Sequence, residues 1–248
     1  MKIILSPAKK MNMDTDSFVP AGLPVFVDET AKIRDWMKNK QSEELKAIWK
    51  CNDKIAEQNF ERLKTMDLYS GLTPAILAYE GIAFQYMAPA VFENGQLEYV
   101  QDHLRILSAF YGVLKPMDGV TPYRLEMQAK AAVGDTANLY EYWGDRLYHA
   151  VRDDSGIIIN LASKEYSKCI EKYLSPEDTY ITITFCELSK GKLVTKGTYA
   201  KMARGEMVRY MAENLVEDPV QIKKFDRLGY RFRDDLSSES EYVFEREI

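Results

Sequence analysis

Between Lys115 and Lys130 the chain reads KPMDGVTPYRLEMQAK, which places Asp118, Tyr123, Arg124, Glu126 and Lys130 within one short stretch. Pro116, the Asp118-Gly119 pair and Pro122 restrain its backbone three times, so the stretch is expected to be a rigid loop. Such a loop holds polar groups in fixed directions and lowers the entropy lost when a ligand is ordered. The planar guanidinium of Arg124 suits a phosphate or carboxylate, Tyr123 can stack or hydrogen-bond, and Glu126 can either orient Arg124 or act as a base. The bland counterpart is a structural Arg124–Glu126 pair that ties the loop down.

Two further groups of polar residues lie just beyond expected strand ends. Lys2 to Leu5 reads as a short strand stopped by Ser6-Pro7, with Lys9 and Lys10 just beyond. Ile157 to Ile159 reads as the clearest central strand, ended by Asn160, with Ser163 and Glu165 opening a helix that runs to about Tyr173. In open α/β sheets ligands bind in the crevice outside the strand C-termini. If the two strands are parallel neighbours, Ser6, Lys9, Lys10, Asn160, Ser163 and Glu165 line one crevice. A helix from about Thr198 to Val216 adds Lys201, Arg204 and Arg209 on a basic edge; from Lys192 to Arg209 there are five bases and one acid, a patch able to face an anion or simply water. The anion-binding candidates are therefore Ser6, Lys9, Lys10, Tyr123, Arg124, Lys130, Asn160, Ser163, Lys201, Arg204 and Arg209. The candidates for proton transfer are Glu126, Glu165 and Asp118.

The elements that must position these groups are read from periodicity. Asp28 to about Leu68 reads as two or three amphipathic helices, the first capped by Asp28 or Thr30, with Asn52-Asp53 marking a break. Thr73-Pro74 is expected to open a helix, and AYEGIAFQYM (Ala78 to Met87) has the form of a helix-hairpin-helix element or a plain αα turn. Gln101 to Val113 reads as a mostly buried helix, and Asn138 to Arg152 as another carrying Trp143. Tyr180 to Phe185 and Lys192 to Lys196 form a hairpin, and Tyr230 to Arg233 with Glu241 to Phe244 are closing strands. The expected architecture is α/β: one domain over residues 1–248, a mixed sheet surrounded by helices.

Composition narrows the function classes. The net charge of −5 argues against a general polyanion binder, but the residues from Asp234 to Ile248 account for all of it, leaving a neutral body with a local basic patch. Three cysteines far apart in sequence suggest a reducing compartment. The N-terminal apolar run is too short for a signal peptide, and no stretch approaches the length of a membrane span, so a cytoplasmic protein without membrane partners is expected. There is no GxxxxGK[ST], GxGxxG or GxSxG motif. His103 and His149 lack metal-ligand spacing, so no cofactor or metal is expected, with a carboxylate-only site left open.

Ile4-Leu5-Ser6-Pro7-Ala8-Lys9, the run RILSAFYGVLKPMDGVTPYRLEM from Arg105 to Met127, Tyr142-Trp143-Gly144-Asp145, Asn160-Leu161-Ala162-Ser163-Lys164-Glu165-Tyr166 and Ala203-Arg204-Gly205 together resemble the bacterial peroxide-stress protein YaaA family nearly end to end. The long central run is specific, whereas ILSP or ARG alone is weak. The resemblance implies a cytosolic protein that helps cells withstand hydrogen peroxide by limiting unincorporated iron. It also implies an α/β fold with a helix-hairpin-helix element, and a positively charged cleft that binds DNA, duplex or locally unpaired. It brings no established catalytic activity. The chain departs from the family at Lys115, where an arginine is expected, and at Gln128-Ala129, where glycine should follow methionine. Two functions are compatible with these residues. In the first, Lys9, Lys10, Arg124, Lys130, Lys201, Arg204 and Arg209 meet phosphates while Tyr123 or Trp143 stacks on an unpaired base. In the second, a nucleobase- or nucleotide-acting enzyme uses Glu126, Glu165 or Asp118 beside Ser6, Asn160 and Tyr123. The turn Ser108 to Gly112 followed by Pro122-Tyr123, faintly similar to uracil-glycosylase-like domains, motivates it, and a narrow, deep pocket is its expected mark.

Overall fold

The computed structural model describes residues 1–16 and 18–247; Ser17 and Ile248 lie outside the described residues. Its frame is an eight-stranded sheet formed by β1 (Lys2–Leu5), β2 (Leu104–Ser108), β3 (Gly112–Leu114), β4 (Ile157–Asn160), β5 (Thr179–Ser189), β6 (Lys192–Val194), β7 (Tyr230–Phe232) and β8 (Glu241–Arg246). The order is β7-β8-β5-β4-β1-β2-β3, with β6 paired to β5. Strands β8, β5, β4, β1 and β2 run parallel, while β3, β6 and β7 join their neighbours antiparallel.

Ile3 sits between Leu104 on one side and Ile159 on the other, and all three are fully buried. A parallel strand covered on both faces needs an unbroken apolar run, which is what IIL and III supply. From β1 the chain crosses to β2 on one side and later returns to set β4 on the other. The strand order therefore reverses at the β1/β4 seam, and the crevice beyond those two C-termini is a topological switch point.

Helices α1 (Val27–Lys38), α2 (Ser42–Trp49) and α3 (Asp53–Lys64) form the amphipathic group expected before residue 68. Asn52 caps α3, its side-chain oxygen accepting the Ile55 N–H at 3.0 Å. Asp28 and Thr30 lie inside the first turn of α1 rather than capping it, and the Thr30 hydroxyl is within bonding distance of the Phe26 and Phe110 carbonyls. Further on lie α4 (Ile82–Met87), α5 (Asn94–His103), α6 (Leu139–Trp143), α7 (Arg146–Val151), α8 (Lys164–Glu171) and α9 (Gly197–Glu213). The single helix expected over 138–152 is two, because the chain turns at Gly144-Asp145.

The largest departure concerns Gln101 to Val113. Instead of a buried helix, α5 ends at His103 and β2 begins at Leu104, all five of its residues buried. Periodicity alone does not separate a doubly covered strand from a buried helix; pairing with β1 decides it. Gly112 then turns the chain into β3 at φ 75°, with no room for a Cβ because the Trp143 ring would stand 2.8 Å away.

The stretch Ala75 to Met87 forms a single helical turn (Ala75–Ala78), a two-residue strand (Tyr79–Glu80) and α4, not two helices joined by a hairpin. Tyr79–Glu80 is drawn into pairing with Lys10–Met11, and Thr73–Pro74, paired with Gly119–Val120, opens the helical turn as expected, with Pro74 at the N-cap rather than the first helical position. Gly81 packs its bare Cα against Ala8, where a Cβ would come within 2.7 Å of the alanine methyl. Among the described residues, no helix is long and apolar enough to cross a membrane.

Helix α9 crosses α4 at Gly205, where an added methyl would land on the Ala83 carbonyl oxygen. Backbone there cannot move without shifting a whole helix. Gly205→Ala is therefore expected to destabilise the protein by ~2 kcal/mol or more despite alanine's better helix propensity, as overpacking does in tight cores. Urea unfolding measures it, and an unchanged midpoint would contradict the crossing.

Candidate functional site

A cavity of about 380 Å³ opens at the switch point, a size suited to a single small ligand or one nucleotide. One wall is the segment after β1, Ser6 to Lys10; the facing wall is the start of α8, Ser163 to Tyr166. Two contacts stitch these walls: the Ser163 N–H donates to Ser6 Oγ at 2.8 Å, and the Ser6 hydroxyl donates to Ser163 Oγ at 3.1 Å. Ser163 occupies the N-cap position of α8 but makes no side-chain cap bond, its hydroxyl being turned to Ser6 instead. The remaining walls are the 123–126 segment, the Glu80 to Phe84 turn and the Lys201/Arg204 edge of α9.

The cations meet here unevenly neutralised. Arg124 donates from Nη1 to the Lys9 carbonyl and from Nη2 to Glu126 Oε1, each at 3.2 Å, and its Nε is buried without a hydrogen-bond partner. Lys9 Nζ reaches the same Glu126 oxygen at 2.8 Å, so one carboxylate oxygen serves two cations. Lys10 pairs with Glu80. Lys201 and Arg204 form no ion pair among the described residues. Arg204 Nε is also buried without a partner, and burial pushes its pKa down, although a guanidinium keeps its proton. Five cationic side chains against Glu80, Glu126 and Glu165 leave the lining two positive charges in surplus.

Glu165 is held by Gln128, which donates to it from the backbone at 3.2 Å and from the side-chain amide at 3.3 Å. Tyr123 forms wall rather than a free platform. Its hydroxyl is hydrogen-bonded to Tyr79 at 2.9 Å and Ser108 at 2.7 Å, its ring stacks on Phe110, and burial pushes its pKa up to about 12. Trp143 is fully buried, with its indole N–H on the Ala109 carbonyl, so it offers no stacking face to a base.

Not every expected residue arrives. Ser6, Lys9, Lys10, Tyr123, Arg124, Glu126, Ser163, Glu165, Lys201 and Arg204 line the cavity. Asn160 stands behind it, 3% exposed, shaping the turn after β4 by accepting the Ala162 N–H at 2.9 Å. Lys130 is solvent-exposed away from the lining, and Arg209 is paired with Glu213 at 2.7 Å. Asp118 is 8% exposed and structural: its carboxylate accepts the Lys115 N–H at 2.8 Å and its carbonyl accepts the Ala75 N–H at 2.9 Å. Sequence reasoning missed Glu80 and the apolar side chains Ile82 and Phe84; Gly81 was the one signal that the chain is pressed close there. Among the described residues no three His, Cys, Asp or Glu side chains gather as around a metal ion.

The chain matches the family model described as "Peroxide stress protein YaaA" over residues 1–236. A UPF0246 protein of Agathobacter rectalis is 77% identical over 248 residues, covering the whole of both chains. UPF0246 proteins of Lachnoclostridium phytofermentans and Desulfitobacterium hafniense are 53% and 52% identical over 244 residues, spanning 98% of this chain and 96% and 97% of theirs.

The environment of Asp118 has a measurable consequence. Burial raises its carboxyl from 3.8 to about 6, partly opposed by the Lys115 N–H and the charges of Lys115 and Arg105. A carboxyl whose pKa rises on folding binds its proton more tightly in the native state. Its favourable contribution is thus full below the unfolded value and lost as pH climbs through the folded one. Asp118→Asn keeps an oxygen for Lys115 and removes the titration. Relative to wild type, the variant should gain ~2–3 kcal/mol between about pH 4 and about pH 8, because each tenfold difference in proton affinity is worth ~1.4 kcal/mol. Parallel stability curves in urea would refute this assignment.

Proposed function

The chain belongs to the peroxide stress protein YaaA family, and from that premise we propose that it serves the peroxide response in the cytoplasm by binding DNA through the positively charged cleft at the β1/β4 switch point. The observation that carries the proposal is the pair of guanidinium groups, Arg124 and Arg204, each with a buried Nε lacking any partner, on the walls of one cavity. Arg204 has no counter-ion among the described residues; a buried charge of that kind is unfavourable, and an entering phosphate beside its guanidinium relieves it. Pro7, Ile82, Phe84, Leu125 and Leu161 provide apolar surface for a base. The volume fits one unstacked nucleotide rather than a duplex, so locally unpaired DNA is the preferred form. The family's expected restraint on unincorporated iron is the cellular outcome we attach to this binding.

A second reading, an enzyme acting on a nucleobase or nucleotide, is favoured by Glu126 and Glu165, two of the three carboxylates on the cavity wall. Asp118, outside the cavity, has no part in it.

Fluorescence anisotropy with a labelled bubbled duplex tests the proposal. Arg124→Ala combined with Arg204→Ala should weaken binding by roughly tenfold or more and lower the slope of log affinity against log salt by about 1 to 2. Affinity unchanged in the double variant, or independent of salt in the wild type, overturns it. Release of free base from DNA by the wild type, absent in Glu165→Gln, would transfer the assignment to the enzyme reading.

A further inference from the structure

We infer that the cavity selects a phosphomonoester, the terminal phosphate of a DNA end or of a free mononucleotide, over the internal phosphodiester of a continuous strand. The inference rests on the cleft reading above and deepens it.

Charge is the first ground. Lys10 is matched by Glu80, and Lys9 and Arg124 together share a single oxygen of Glu126. Glu165 has an uncharged partner, Gln128, while Lys201 and Arg204 have no carboxylate partner among the described residues. The lining thus carries a surplus of two positive charges, and part of it sits on a guanidinium whose Nε is sealed from water, where screening is weak. A phosphodiester brings one negative charge. A phosphomonoester brings about −1.5 to −2 at neutral pH and three unesterified acceptor oxygens, so it gains more from the same field. Size agrees with charge: a cavity of about 380 Å³ holds one nucleotide, and an end requires the chain to leave on one side only.

Glu126 is the residue that sets the strength of this preference. It lines the cavity, and its Oε1 already occupies the position that an anion would take between Lys9 Nζ and Arg124 Nη2. Removing its charge raises the surplus from two to three and should widen the gap between dianion and monoanion. Removing Arg204 or Lys201 should narrow it.

The test is anisotropy competition among single-stranded oligonucleotides of one sequence carrying a 5′-phosphate, a 3′-phosphate or no terminal phosphate, together with thymidine 5′-monophosphate. At least one phosphorylated oligonucleotide or the mononucleotide is expected to bind roughly tenfold or more tighter than the unphosphorylated strand. Arg204→Gln and the exposed Lys201→Gln should bring that ratio towards one, and Glu126→Gln should raise it. The lysine variant keeps the test valid if the arginine variant folds poorly. Tight binding of the mononucleotide identifies a free nucleotide as the source, and binding confined to oligonucleotides identifies a DNA end; either supports the inference. Equal affinity for phosphorylated and unphosphorylated strands, with both still weakened by Lys201→Gln, overturns the monoester preference and leaves the cleft reading standing. Absence of binding by every probe overturns the cleft reading as well.

Discussion

Strand β1 is hydrogen-bonded along both edges, to β2 at Leu104–Ile106 and to β4 at Ile158–Asn160, and the rest of the molecule depends on that double pairing. It brings a segment from the first residues of the chain between two segments more than fifty residues apart. The entropy of those long closures is met by burying Ile3, Ile4, Leu5, Leu104, Ile106, Ile158 and Ile159 together. The same pairing fixes the ends of β1 and β4 side by side. Fold and site therefore share one constraint: a shift of β1 against β4 would part Ser6 from Ser163 and open the cavity's floor.

The segment beyond β1 is chemically unlike the core that β1 anchors. Deeper than the cavity wall, the buried hydroxyls of Tyr123, Tyr79 and Ser108 meet the usual demand that buried polar groups be satisfied, each bonding another. A few ångströms outward the demand fails. Arg124 and Arg204 each leave a buried Nε unpartnered, although Glu126 lies beside the first of them. Trp49 Nε1 and Glu187 Oε1 are buried without a hydrogen-bond partner elsewhere, the latter beside Lys196, but the two guanidinium atoms border one cavity.

Much of this was legible in the sequence wherever local chemistry decides the structure. Ser6-Pro7 and Asn160 stop strands whatever surrounds them, so the polar residues after them could be assigned to strand ends, and Arg204 could be placed by helical spacing. Residues whose surroundings come from distant segments were not legible. Leu104 to Ser108 is a strand only because β1 lies beside it, and Tyr79–Glu80 leaves the expected helical course only because Lys10–Met11 is there to pair with. Arg209 and Arg204 occupy the same helix five residues apart, yet Glu213 pairs with one while the other lines the cavity with its Nε buried and without a partner among the described residues. Tyr123 and Trp143 show the same limit for aromatic rings. Residue type says that a ring can stack on a base, while packing against Phe110 or beneath Gly112 determines whether a face is left to do so.

The restrained loop is best understood as two halves held by different forces. Its first half, Lys115 to Val120, is fastened by backbone pairing with Thr73–Pro74 and by the Asp118 carboxylate, which accepts the Lys115 N–H inside a site dry enough to raise its own pKa. Its second half is fastened from within by the Tyr123 hydroxyl and from outside by Glu126, between Lys9 and Arg124. The inner anchors are neutral hydrogen bonds between buried hydroxyls, which salt does not screen. The outer anchor is a partly exposed ion pair, which screening weakens and which an incoming anion competes with directly. Rigidity and responsiveness are thereby separated along one short segment. The backbone that aims Arg124 is held by the first kind of anchor and its charge partner by the second, the division that the proposed binding of a phosphate in place of an internal carboxylate requires.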